Sequence, residues 1–217
     1  MLCYRRAIKP RVMGNERVGK LIGRAWIAAA LIVAAPAAAQ NYSDGFSFLK
    51  AVKERDGGKV SELVSAPGSI VVNTKDRANG EGALHYVVRD RDLTWVSYLL
   101  GKGARPDLQN LRGETPLSLA AQLGWLEGAE LLLRLRASID LPNARGETPL
   151  ILAVQRRDLP MVRMLLAQGA NPKRTDNAAG LSALDYAKRD GARSAAILKL
   201  LETQKPAAKK AAAGPKL

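Results

Sequence analysis

Histidine and cysteine are nearly missing from these 217 residues: there is one of each, His85 and Cys3. A protein zinc site draws on three or four Cys, His or carboxylate ligands, and a disulfide needs two cysteines, so the chain is short of both. It also lacks a glycine-rich phosphate loop, and no nucleophile stands with a histidine and an acid at more than chance spacing. No catalytic residue, cofactor site or metal site is therefore expected, and the chain is not expected to be an enzyme. Nor is there an apolar run long enough to span a bilayer. The longest, from Ala25 to Ala39, has a core of about 15 residues, short of the ~20 that a spanning helix needs.

What is present in quantity is positive charge. Lys and Arg number 34 against 20 Asp and Glu, a net charge of +14, with an isoelectric point near 10.2. The excess is unevenly placed. Residues 1–24 hold Arg5, Arg6, Lys9, Arg11, Arg17, Lys20 and Arg24 against Glu16 alone, and the apolar run follows, closing on Ala37-Ala38-Ala39-Gln40. A basic front, a short apolar stretch and an Ala-x-Ala end describe a secretory signal peptide over 1–39, cut before Gln40. A start at Met13 would give it the more ordinary length. An uncleaved membrane anchor is the other reading of this segment. Cleavage would remove Cys3 and bring the net charge to +8, leaving a cysteine-free protein in an oxidising compartment. The end of the chain, 204–217, is a low-complexity Lys/Ala/Pro tail carrying four lysines and no large apolar residue before Leu217. Such a segment buries too little surface to offset its ordering entropy, so it reads as a disordered basic tail. Its charges suit at most a weak contact with anionic lipid. Nucleic acid is not expected as a partner, because an exported location removes it and much of the basicity lies in the leader and tail.

Between these ends the chain repeats itself. Arg112-Gly113-Glu114-Thr115-Pro116-Leu117 recurs 33 residues later as Arg145-Gly146-Glu147-Thr148-Pro149-Leu150, with weaker copies from Gly80 and from Gly180. Val87, Ala120, Ala153 and Ala187 keep the same phase. So do the pairs Leu99-Leu100, Leu132-Leu133, Leu165-Leu166 and Leu200-Leu201. A fixed period in this range signals stacked units, none of which buries its apolar face alone. Within a unit, Thr115 and Thr148 are N-cap residues and Pro116 and Pro149 take the first helical position, where a missing N–H costs nothing. A second short helix, about 126–134 or 159–168, carries the Leu pair and ends near Gly103-Ala104 or Gly169-Ala170, where glycine takes the left-handed conformation.

These motifs closely resemble the ankyrin repeat, with its Gly-x-Thr-Pro-Leu-His opening and Leu-Leu-x-x-Gly-Ala close. The resemblance covers about Asp44 to Thr203 and implies an all-α ankyrin-repeat solenoid of about five helix-turn-helix units joined by β-turns. The expected plan is an ankyrin domain over 40–203, with a cap at about 44–73 and repeats at about 77–107, 110–140, 143–173 and 177–203. Two departures stand out: Arg136 occupies the glycine position after a second helix, and Arg157 the turn position that Gly124 fills one repeat earlier. In the cap, Phe46, Leu49, Val52, Val60, Leu63 and Val64 fall at helical intervals and are expected inside. Lys50, Lys53, Glu54, Lys59 and Glu62 are expected outside. The triplet Ile70-Val71-Val72 reads equally as a short strand or as a packed cover over the repeat edge. His85 stands where ankyrin repeats commonly have a histidine, and is expected to be a neutral imidazole bonding the backbone of neighbouring turns. Trp95 and Tyr98 are expected to pack against adjacent helices.

The resemblance also implies a function: binding a protein of unknown identity through the concave face and the turn tips. The implied contact residues are Arg89, Arg112, Glu114, Gln122, Leu123, Arg145, Glu147, Gln155, Arg156 and Arg189. They form a face of mixed charge with an arginine excess, suited to a partner bearing carboxylates, with Leu123 and the nearby Trp125 as an apolar anchor. Glu81, Glu114 and Glu147 are expected as a solvated stripe, separated by the stacking distance of roughly 10 Å. Reversing Arg112 and Arg145 to Glu is expected to leave stability nearly intact. With the leader, this gives a periplasmic interaction module of a Gram-negative bacterium. An inner-membrane-tethered scaffold and an inhibitor of an exported enzyme, in the manner of an immunity protein, are the alternatives.

Overall fold

The computed structural model of the chain describes residues 44–203. The signal-peptide reading of 1–39, the choice of Met1 or Met13 and the basic tail at 204–217 lie outside them. Among the described residues ten short α-helices follow in pairs: α1 (44–54) with α2 (Gly57–Ser65), α3 (Ala83–Arg89) with α4 (Leu93–Gly101), and α5 (Pro116–Leu123) with α6 (Leu126–Arg134). Then come α7 (Pro149–Gln155) with α8 (Leu159–Ala167), and α9 (Ala183–Asp190) with α10 (Ala195–Thr203). In four of the pairs the first helix packs on its own second helix, and α3, α5, α7 and α9 also stack side by side in series. The outer helices α4, α6, α8 and α10 do the same behind them. The core is thus a continuous layer between two rows, which is why no single unit would hold its shape alone.

The repeat phase of the sequence maps directly onto this layer. Val87, Ala120, Ala153 and Ala187 are fully buried at the inner–inner contacts, where small side chains let helices of seven or eight residues approach closely. Leu99, Leu132 and Leu165 are equally buried beneath the outer row. The last Leu pair is out of register. A 3₁₀ turn at Gly191–Ser194 lengthens the final connection, and Leu201 rather than Leu200 is the buried member.

Local chemistry starts the helices as expected. Thr115 Oγ1 accepts from the Ser118 amide at 3.1 Å and Thr148 Oγ1 from the Ile151 amide at 3.3 Å, each with proline next in line. Asp56, Asp92 and Asp158 cap second helices by accepting from the amides of Lys59, Trp95 and Met161 at 2.9–3.0 Å. Gly103 and Gly169 end second helices at φ +88° and +94°, and Arg136 does the same work at φ +68°. Arg157 likewise turns at φ +60°, joined by Arg55 at +61° and Arg91 at +56°. Four arginines therefore sit in backbone space that favours glycine.

In the cap, Phe48 is fully buried while Phe46 is 67% exposed, which corrects the expectation that Phe46 is a core residue. At 3.6 residues per turn, Phe46 lies about 160° around the helix from Phe48 and about 120° from Val52. Lys50, Lys53, Glu54, Lys59 and Glu62 face outward. The Ile70-Val71-Val72 stretch is not a strand. Val71–Asn73 form one 3₁₀ turn whose Val71 is buried against the core, and Ile70 projects outward.

Candidate functional site

Each unit opens with a turn whose tip reaches the next tip through the backbone. Leu111 N–H donates to Asn79 O at 3.0 Å, Ala144 N–H to Arg112 O at 2.9 Å, and Asn177 N–H to Arg145 O at 2.8 Å. The approach is so close that a Cβ on Gly113, at φ +70°, would lie 2.5 Å from the Ala144 nitrogen. Glycine is required there on both counts.

Inside each tip lies a carboxylate. Glu81, Glu114 and Glu147 are all buried, which corrects the expectation of a solvated stripe. The physical reason is a set of donors that converge on each one. Glu114 accepts from Asn110 Nδ2 at 2.8 Å, Arg112 Nε at 2.9 Å and Gln122 Nε2 at 3.1 Å. Glu147 repeats this with Asn143 at 2.8 Å, Arg145 at 2.9 Å and Gln155 at 3.3 Å. Glu81 takes Asn79 Nδ2 at 3.0 Å and both terminal nitrogens of Arg89. Burial pushes the Glu114 carboxyl up, but the bonds from Asn110, Arg112 and Gln122 outweigh it and hold the group below the usual range. A buried charge supplied with this many donors is tolerable, whereas one stripped of them is costly.

The candidate contact residues divide accordingly. Glu114 and Glu147 are interior ligands of their own arginines and are corrected as surface contacts. Gln122 and Gln155 are turned toward those carboxylates. Arg112 and Arg145 keep side chains 69% and 67% exposed while the paired Glu side chains are 8% and 9% exposed. Each ion pair thus shows water its cation only. The same pairing means that Arg112 and Arg145 hold a buried charge in place, so reversing them is not neutral for stability. Arg89 pairs with Glu81, and Arg156 is exposed at the end of α7. Arg189 lies over the Tyr186 ring at 4.7 Å. The apolar anchor is corrected too. Trp125 is buried with its ring over Gly128, and Leu123 is half-buried against the core, its carbonyl accepting from Arg91 at 2.7 Å.

His85 is buried as expected of a backbone-bonding imidazole. Gly82 N–H donates to Nδ1 at 3.1 Å, so the proton is on Nε2, which donates to Glu114 O at 2.9 Å across to the next unit. Burial pushes this imidazole down, against smaller opposing effects of the Glu114 carbonyl and Glu81. Trp95 and Tyr98 meet edge to face at 5.3 Å, with the Arg55 guanidinium 5.5 Å from the indole. Among the described residues no His/Cys/Asp/Glu group is arranged to hold a metal, and no helix is long and apolar enough to cross a membrane.

Sequence reasoning missed the carboxylate brackets, although Asn110 and Asn143, four residues before each Glu, recur at the 33-residue period and were the signal for them. It also missed a series of clamps between units. From the turns after the first helices, Arg55 reaches Asp90 at 2.7 Å and Asp92 at 3.1 Å, and Arg157 forks onto Asp190 with two bonds of 2.6 Å.

This geometry agrees with the sequence comparisons. The chain matches ankyrin repeats (3 copies) over residues 37–143 and again over 84–176, more than half its length. It belongs to the ankyrin-repeat family. Among curated proteins it is similar to a palmitoyltransferase, ZDHHC17 of Danio rerio, with 43% identity over 54 residues, 25% of this chain and 9% of that protein. It is also similar to the potassium channel AKT1 of Arabidopsis thaliana, with 38% identity over 65 residues, 30% of this chain and 7% of that protein. The chain spans under a tenth of either relative, and neither activity is carried over. What the family does establish is an interaction module, a surface built to meet another protein.

Proposed function

We propose that this protein is an exported, non-enzymatic module that holds an acidic protein partner on the face formed by its turn tips and first helices. The observation that carries the reading is the one-sidedness of the tip ion pairs. Because Glu114 and Glu147 are buried while Arg112 and Arg145 stand in water, the face presents guanidinium groups that retain unused donors. Guanidinium recognises carboxylate through paired N–H bonds, which favours an acidic surface over an apolar one. Several such contacts give orientation and fast association more than raw affinity.

Export rests on the leader at 1–39 and places the module in the periplasm. Intact mass of the natively expressed protein, with cell fractionation and cross-linked capture, tests this. A soluble periplasmic species starting at Gln40, with one stoichiometric exported partner, is the expected result. A full-length species in the membrane fraction would instead establish the tethered scaffold. A full-length soluble cytoplasmic species would overturn export altogether. If the captured partner is an enzyme that loses activity in the complex, the role is that of an inhibitor. The four tail lysines add at most about 1 kcal/mol each to attraction at an anionic membrane surface.

A further inference from the structure

The repeat register marks a guanidinium that has no carboxylate partner among the described residues. In the three preceding units a residue near the end of the first helix turns back onto the tip glutamate: Arg89 onto Glu81, Gln122 onto Glu114, Gln155 onto Glu147. In the last unit the helix position is Arg189, but the glutamate position is Leu181. Among the described residues Arg189 makes no ion pair within 4 Å, and its guanidinium is exposed and stacked on Tyr186 instead.

The surroundings form a cleft of about 400 Å³, lined by Val154, Gln155, Arg157, Tyr186, Arg189 and Asp190. The acid in that lining is already committed. Asp190 holds the Arg157 fork, which with Ser194 keeps its carboxyl far below the usual range, so it does not serve Arg189. Tyr186 is committed as well, its hydroxyl donating to Asp176. What remains is an oriented guanidinium with free donors, the aromatic face that holds it, and the Val154 flank.

We infer that this cleft between α7 and α9 is a subsite for a carboxylate side chain, Asp or Glu, of an acidic segment of the protein partner. It deepens the proposed function and rests on it, because it assigns one partner residue to one place on the arginine face. The stacking on Tyr186 holds the fork ready, which lowers the ordering cost of forming a paired contact. The missing glutamate at 181 is what makes the site available. Each preceding unit satisfies its own helix-end donor internally, and the last unit leaves that donor for a ligand.

The test uses the full chain and a capped tetraglutamate peptide, followed by NMR of the arginine Nε–Hε groups. The expected result is a saturable shift at Arg189 with the glutamate peptide and none with capped tetraglutamine. Arg189→Gln should weaken the apparent Kd at least tenfold, while Arg163→Gln, which removes a charge from outer helix α8, should leave it unchanged. Leu181→Glu supplies the internal partner that Arg89 has in Glu81, and should abolish peptide binding with the array still folded. Unaltered affinity in Arg189→Gln or Leu181→Glu would overturn the subsite. Saturable shifts confined to Arg112 and Arg145 would also sink it, yet leave the wider arginine face standing. An equal response to inorganic phosphate would show a generic anion site and contradict the assignment to an acidic side chain. No saturable shift anywhere would count against both readings.

Discussion

Arg136 shows how far a side chain can be pushed into glycine's place. It ends α6 at φ +68°, where Gly103 and Gly169 end the neighbouring outer helices. The left-handed conformation costs a non-glycine residue about 1 kcal/mol, and among the described residues no hydrogen bond or ion pair of its side chain offsets it. Arg136→Gly is expected to raise the unfolding free energy by about 1 kcal/mol in urea titrations. Arg157→Gly should gain less, because it gives up the fork on Asp190. His85 carries a second expectation at this scale. Its folded pKa lies below the ordinary value, so the unfolded chain binds the proton more readily. The stability it protects is complete above about pH 6.5 and is lost as pH falls below that value toward the folded pKa. The lowered carboxyls of Glu114, Asp76 and Asp176 act in the same direction but at lower pH, below their ordinary values. Urea midpoints between pH 7.5 and 5 should therefore fall in the wild type and flatten in His85→Gln. Equal slopes would remove the imidazole from the account.

At the scale of the helix, the sequence was most readable where a residue type answers to a local rule. The Thr-Pro starts and the glycine ends depend on neighbours within one turn, Ala120 and Ala153 recur at the 33-residue period, and the structure has them where the sequence puts them. Legibility stopped where the environment is set by how a turn and its helix fold back on each other. Glu114 looks like a surface carboxylate until Asn110, Arg112 and Gln122 are brought onto it from two sides. Phe46 and Phe48 are two residues apart, and the core on which α1 packs decides which faces inward. Gly128 gave little sign of its purpose. It stands where a Cβ would come within 2.0 Å of the Trp125 ring. Gly128→Ala should accordingly cost about 1–3 kcal/mol despite alanine's better helix propensity. A double mutant with Trp125→Ala should cost less than the sum of the singles. Leu132→Asp and Leu165→Asp place a charge inside the stacked layer and should each cost about 4 kcal/mol or more, unfolding adjacent units together. An unchanged thermal midpoint in either would contradict the register.

At the scale of the whole array, bonds that sequence periodicity does not display tie the described units together, among them backbone bonds between tips, His85 across to Glu114, and the Arg55 and Arg157 clamps. The fold was legible because each unit repeats a local pattern. The site was legible only as a face, because which side of an ion pair meets water depends on the packing behind it. The central claim is that this face works through exposed positive charge, and one affinity series tests it most directly. The captured partner would be titrated against wild type, Arg112→Lys with Arg145→Lys, and Arg112→Gln with Arg145→Gln, at two salt concentrations and well below each unfolding midpoint. Because each pair leaves its Glu buried, removing the Arg charge is expected to cost about 1–3 kcal/mol per site, so each variant is compared with its own unfolding curve. Affinity should fall from wild type through the Lys pair to the Gln pair, with the salt dependence shrinking in step. A Gln pair that binds as tightly as wild type, with the same salt dependence, would contradict the claim.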